Sequence, residues 1–143
     1  MRAAQSWPRI VAALALLLAS FALPALAQDA KSLAAQGAAR AWLALTDHQD
    51  AKASYEAADP KFRNAMTLER WTEGLAKIRG PLGRIDRRTV TATKFTTKLP
   101  GFPAGDYAVV VFRSTYSLRQ MQETVTLDLD SAGAWRVVGY SMN

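Results

Sequence analysis

The sequence predicts an α+β fold in which N-terminal helices pack on one face of a four-stranded antiparallel sheet. Apolar residues recur at helical spacing before Gly83, and beyond it they follow strand alternation. No helical segment separates the strands, which favours an antiparallel meander over a parallel sheet. A chain of 143 residues allows one small domain, and an apolar fraction of 50% is enough to build its core.

The first segment has the three parts of a secretory signal. Arg2 and Arg9 precede an uncharged apolar run over residues 10–23, and Ala-Leu-Ala at residues 25–27 forms a cleavage site. As a helix the run would span roughly 21 Å, whereas a hydrocarbon core is about 30 Å thick. We therefore predict a Sec-type signal peptide at residues 1–27, cleaved after Ala27, and a periplasmic or secreted location.

The mature chain is expected to be a single α+β domain over residues 28–143. The chain has no cysteine, which excludes disulfides, thiolate metal sites, a cysteine nucleophile and a lipid anchored on cysteine. The full chain of 143 residues has a formal net charge of +6, but export argues against a nucleic-acid partner. We expect no transmembrane segment in the mature chain and no cofactor.

Three helices are predicted ahead of the strands. The first covers residues 29–45, and the polar segment 46–50 offers capping side chains for a second helix that ends before Pro60. Thr67 can cap a third helix that carries Trp71 and Leu75 on one apolar stripe.

The strands are predicted from alternation and from turn residues. They cover residues 85–98, 107–118, 121–130 and 134–142. A tight turn at Arg119-Gln120 would set Tyr116 opposite Glu123. A three-residue turn with Gly133 in the left-handed region would set three further pairs: Leu129 with Trp135, Leu127 with Val137 and Val125 with Gly139. The same register predicts a solvent-side ion pair between Asp128 and Arg136.

Several segments together resemble the domain of unknown function 4019 family. They are Ala41-Trp42-Leu43-Ala44-Leu45-Thr46-Asp47, Phe62-Arg63, the Trp71 helix with Arg79-Gly80-Pro81-Leu82-Gly83, Glu123-Thr124-Val125-Thr126-Leu127 and Trp135-Arg136-Val137-Val138-Gly139-Tyr140. The resemblance implies an exported bacterial protein with a cystatin-like, or nuclear-transport-factor-like, shape of helices on a curved sheet. It implies no activity and no catalytic residues.

The single histidine, His48, lies in a predicted turn beside Asp47 and Asp50. With Ser54 it could be drawn as a catalytic triad, and with the aspartates as a weak metal site. The alternative, which motif specificity favours, is an exposed turn histidine flanked by helix-capping aspartates.

The predicted registers place a carboxylate on the helix-covered face of the sheet. Glu123, Tyr116, Ser114 and Ser141 are expected near one end of that face. A buried carboxylate is costly unless it is paired, so such a cluster can line a pocket open to water. Alternatively, Glu123 is a structural tie to Tyr116 or to a helix N-terminus, or it reaches solvent at the strand end.

Basic residues concentrate between residues 77 and 98. On a strand without bulges, Arg84, Arg88, Lys94 and Lys98 share one face, and this basic stripe could contact anionic lipid headgroups, lipopolysaccharide phosphates or an acidic partner. The other interpretation is a solvated strand whose cations deter edge-to-edge pairing.

These features favour a non-enzymatic exported domain that binds an acidic envelope component, a partner protein or a small apolar ligand. The alternative is a cavity-based enzyme or ligand binder in which Glu123 acts as general base and Tyr116 as hydrogen-bond donor. The depth of the pocket beside Glu123 discriminates between them.

Overall fold

In a computed structural model, the chain is described over residues 9–143, with side chains from residue 25 onward. It divides into two compact units, residues 1–33 and residues 34–143. Because side chains are described only from residue 25 onward, most of the predicted leader lies outside them. Helix α1 continues through the predicted cleavage point after Ala27. Among the described residues, no helix combines the length and the apolar character of a membrane span.

The architecture is α+β, as the sequence predicts. The helices are α1 (Arg9–Asp47), α2 (Ala51–Ala57), α3 (Pro60–Ala65) and α4 (Leu68–Arg79). The strands are β1 (Ile85–Thr96), β2 (Tyr107–Tyr116), β3 (Gln120–Leu129) and β4 (Trp135–Met142). They form one four-stranded antiparallel sheet in the order β1-β2-β3-β4.

Side-chain caps begin the short helices. Asp50 accepts a hydrogen bond from the Ala53 amide at 2.9 Å, and Thr67 caps α4 in the same way. Helix α3 was not predicted. Asp59 caps it and Pro60 occupies its first turn, so the dipeptide that ends one helix also begins the next.

The core lies between the helices and one sheet face, here called the inner face. Trp71, Leu75, Phe112 and Leu127 are buried together, and Trp135 packs against them while partly exposed. The opposite, outer face of the sheet carries alternate residues of each strand, as the pleat requires.

The predicted β2–β3 register is wrong. Glu123 pairs with Phe112 rather than Tyr116, because the turn comprises residues 117–119. The Tyr116 amide closes that turn on the Arg119 carbonyl at 2.8 Å. The register differs from the predicted one by an even number of residues, so Tyr116 and Glu123 still share the inner face.

The β3–β4 register is confirmed at Leu129–Trp135 and Leu127–Val137. Gly133 has φ 81°, as the predicted turn requires. A bulge then shifts the register, and Val125 pairs with Tyr140 instead of Gly139.

The predicted ion pair between Asp128 and Arg136 is also wrong, although the two residues are register partners. Arg136 donates to Asp130 at 2.8 Å, and Asp128 accepts from Lys61 at 2.5 Å.

Strand β1 has register shifts at Ile85–Arg87 and Val90–Ala92. The second shift inserts Thr91, so residues on either side of it no longer alternate in phase. Arg88 pairs with Ser114 on the inner face, whereas Lys94 pairs with Val109 on the outer face.

Candidate functional site

Four charged side chains from four different elements meet beneath one end of the inner face. Asp47 ends α1, Arg79 ends α4, Arg88 lies on β1 and Glu123 lies on β3. Their side chains are 13%, 3%, 9% and 0% exposed, respectively. We call these four residues the buried charge cluster.

Both carboxylate oxygens of Glu123 are occupied. Oε1 accepts from Arg88 Nη2 at 2.6 Å and Nε at 2.9 Å, and from the Tyr116 hydroxyl at 2.9 Å. Oε2 accepts from Arg79 Nη2 at 3.1 Å and the Tyr140 hydroxyl at 2.6 Å. With no exposed surface and five donors, this carboxylate has no position left for a substrate.

Asp47 closes the cluster on the other side. Arg88 donates two hydrogen bonds to it, of 2.8 and 2.9 Å, in the bidentate geometry that suits the planar guanidinium. Arg79 Nη1 lies 3.1 Å from the same carboxylate, and Arg79 also donates to Thr46 and to the Tyr116 hydroxyl. Two cations and two anions therefore balance one another. Among the described buried side chains, only Arg79 Nε lacks a hydrogen-bond partner.

The buried charge cluster shifts the pKa of Glu123 and that of Tyr140, which hydrogen-bonds to Glu123. Burial alone would raise the pKa of Glu123, but the charges of Arg79 and Arg88, with hydrogen bonds from Ser114 and Tyr140, lower that pKa below its ordinary value. Burial, reinforced by the charge of Glu123, raises the pKa of Tyr140. The folded protein thus holds Glu123 ionised and Tyr140 neutral.

The structure brings together three of the four predicted pocket residues. Ser114, Tyr116 and Glu123 are all buried at the cluster. Ser141 is exposed and pairs with Thr124, away from them, because the bulge in β4 changes the phase of the strand.

The sequence interpretation missed Asp47, Arg79 and Tyr140 as members of this site. A signal for Arg79 was present, since Trp71, Leu75 and Arg79 recur one helical turn apart on the apolar stripe of α4. The other two depend on contacts between elements.

The predicted basic stripe does not form as one surface. Arg84, Lys94 and Lys98 are exposed, but Arg88 is turned into the buried charge cluster. The Thr91 bulge separates Arg88 from the face that Lys94 occupies. Arg87, next to Arg88, lies on the exposed side instead.

His48 is exposed in the turn after α1. The groups that a triad would need serve other partners: Asp47 binds arginine, Asp50 caps α2, and the Ser54 hydroxyl accepts from Trp71 Nε1 at 2.9 Å. No metal-binding group of three His, Asp or Glu side chains occurs within the described residues.

Two surface clefts among the described residues lie away from Glu123. One of about 630 Å³ lies between α3 and the β3–β4 turn, where Lys61 and Arg136 meet Asp128 and Asp130. Another, of about 420 Å³, is apolar and lies between α1 and β4 beside Trp42 and Trp135.

The opposite shifts of Glu123 and Tyr140 predict a stability maximum bounded on both sides. A lowered pKa means that Glu123 contributes stability above its ordinary value of 4.5, lost as the pH falls towards the folded value. A raised pKa means that neutral Tyr140 contributes stability at pH values below its ordinary pKa of 10.0. That stability is lost as the pH rises towards the folded pKa. Urea unfolding midpoints across pH should show both limbs, and Tyr140→Phe should weaken the alkaline limb most, with a smaller effect on the acid limb because the Tyr140 hydroxyl helps to lower the Glu123 pKa. An unchanged alkaline limb in that variant would contradict the assignment.

Fold and site together define a small α+β domain whose inner sheet face is closed by a charge-balanced cluster. A family model described as a protein of unknown function (DUF4019) matches residues 38–140, and the chain belongs to that family. No curated protein and no solved structure matches the chain.

Proposed function

We propose that this protein is an exported, non-enzymatic domain that binds an acidic envelope component through its outer surface. The observation that carries the proposal is the saturation of Glu123, the carboxylate on the inner face. A binding pocket there would need an open position, and the buried charge cluster fills it. The inner face then serves stability, and recognition falls to exposed side chains.

Catalysis by Glu123 and Tyr116 is disfavoured for a second reason. A general base works best when its pKa lies near the working pH, which for a carboxylate requires an upward shift. The two arginines lower the pKa of Glu123 instead. The Tyr116 hydroxyl donates a hydrogen bond to that same carboxylate, so it is not free to bind a substrate.

Exposed cations occupy the outer face of β1 and β2. Arg87 pairs with Thr115, Arg113 with Thr89 and Lys94 with Val109, so Arg87, Arg113 and Lys94 lie on two adjacent strands. We call these three cations the basic outer face. None of them has an acidic partner within residues 25–143. Uncompensated cations on a flat surface attract polyanions and anionic surfaces.

The export part of the proposal rests on the predicted leader. Protein recovered from the periplasm or medium should begin at Gln28. N-terminal sequencing that still finds Arg2 on such material would overturn it.

Reversing two charges of the basic outer face should strongly weaken binding to a polyanion. The double variant Arg87→Glu with Arg113→Glu is expected to lose about tenfold or more in salt-sensitive retention on immobilised dextran sulfate. Its melting temperature should stay close to that of the parent, because exposed charges contribute little to stability. Reversal of Arg88 would not be a valid test, since it breaks the buried charge cluster.

The matched control is Arg70→Glu with Lys77→Glu, which changes the net charge equally at exposed positions of α4. This control should keep its retention. Equal losses in both double variants would reduce the interaction to net charge and refute a defined binding face.

A further inference from the structure

The turn between β2 and β3 presents an exposed leucine on a held backbone. Leu118 is 73% exposed, and within residues 34–143 no other large hydrophobic side chain is exposed. Its amide donates to the Leu82 carbonyl at 3.1 Å, and the Ser117 amide donates to the Arg84 carbonyl at 2.8 Å. The loop before β1 therefore braces the turn.

Gly83 makes this bracing possible. Its φ is +75°, and a Cβ at this position would lie 2.2 Å from Ser117 Oγ. Only glycine permits so close an approach in this backbone conformation. Leu118 is thus presented to solvent by two loops packed on each other.

Three arginines lie next to the exposed leucine in the chain or on the neighbouring strand and loop. Arg119 follows it directly, Arg84 lies in the bracing loop, and Arg87 pairs with Thr115, two residues before Ser117. Arg87 and Arg119 have no acidic partner within residues 25–143. Arg84 pairs with Asp86 at 2.9 Å, but its side chain remains 81% exposed. We call Leu118 with these three arginines the arginine-flanked turn.

Three acids lie near this end of the sheet, and of these only Asp86 is exposed, where it offsets the charge of Arg84. Glu123 lies beneath Tyr116, the last residue of β2, where two arginines neutralise it. Asp47 is neutralised by the same pair. Arg87 and Arg119 therefore leave the turn with a net positive charge towards solvent.

We propose that the arginine-flanked turn docks on an anionic lipid bilayer, with Leu118 entering the acyl boundary and the arginines binding headgroup phosphates. An exposed apolar side chain gains free energy by leaving water, and neighbouring cations are attracted to anionic headgroups. The combination fits a bilayer better than a soluble polyanion, which offers no apolar layer for Leu118. This inference rests on the proposed function and names the lipid surface as the acidic component.

The absence of cysteine provides a direct test. Leu118→Cys can be labelled with a polarity-sensitive fluorophore at a unique site, and the control is Ala132→Cys in the β3–β4 turn, at the opposite end of the sheet. Both cysteine variants are prepared with the same N-terminal residue, so that any contribution of residues 1–33 is the same in both. The label at position 118 should shift to the blue on vesicles containing phosphatidylglycerol and not on phosphatidylcholine alone. The label at position 132 should not shift on either.

Unlabelled variants measure affinity. Leu118→Ser and Arg119→Glu should each weaken binding to phosphatidylglycerol vesicles by about tenfold, and Arg70→Glu should not. All three positions are exposed, so unchanged thermal unfolding serves as the check on folding.

The outcomes separate this inference from the proposed function. No shift at position 118, with dextran sulfate retention still dependent on the basic outer face, would overturn lipid insertion and leave the proposed function standing. A shift produced by polyglutamate but not by vesicles would assign the turn to an acidic protein and overturn the lipid proposal. If the parent protein binds neither dextran sulfate nor phosphatidylglycerol vesicles, both the proposed function and the lipid inference are overturned.

Discussion

Glu123→Gln is expected to lower the free energy of unfolding by about 3–5 kcal/mol, because it leaves two buried arginines with a single remaining carboxylate. The new amide also points N–H donors at groups that are themselves donors. Arg79 and Arg88 cannot release their protons, so the uncompensated charge stays in the core. In a domain of this size the loss is a large part of the total stability.

Urea denaturation followed by far-ultraviolet circular dichroism measures this loss through the unfolding midpoint. The matched control is Glu56→Gln, which removes a carboxylate 3.9 Å from Lys52 on the surface of α2 and should leave the midpoint unchanged. A Glu123→Gln protein with the parent midpoint would show that the carboxylate is not needed for folding. A pocket role would then return to consideration.

Trp71→Ala is expected to cost about 3–5 kcal/mol by opening a cavity in the aromatic core. The Trp71 ring centroid lies 5.5 Å from that of Trp42 and 5.3 Å from that of Phe62, the latter edge-to-face. Its indole N–H also donates to the buried Ser54 hydroxyl at 2.9 Å. The substitution removes together these contacts, which join α4 to α1, α2 and α3.

Trp71→Phe separates the two contributions. It keeps most of the ring packing and loses the hydrogen bond, so its cost should be nearer 1 kcal/mol. Far-ultraviolet circular dichroism is again the measurement, because the substitution itself changes the tryptophan fluorescence. A Trp71→Ala protein that unfolds at the parent urea concentration would show that α4 does not hold the core.

Local patterns predicted the parts of the site that depend on alternation alone. Glu123, Ser114 and Tyr116 were assigned to the inner face because side chains alternate along regular strands, and an even register error does not change that assignment. Ser141 and Arg88 were misplaced for one shared reason. Each assignment assumed a regular strand across a position where the structure has a bulge, and one inserted residue reverses the face of what lies beyond it.

Sequence alone was sufficient for the α+β class, for the order of the strands and of α1, α2 and α4, and for a cap of α2 within residues 46–50. It was also sufficient for the cap at Thr67 and the shared face of Tyr116 and Glu123. These properties follow from spacing and capping between residues close in the chain. Sequence also offered Tyr116 as a hydrogen-bond partner of Glu123, and the structure has that bond. The arginine partners of Glu123 required the folded structure, because Arg79 and Arg88 reach it from other elements and the bulges determine which side chains turn inward. The same bulges leave Arg87 outside. Contacts across the fold therefore determined which charges are buried and which remain on the surface.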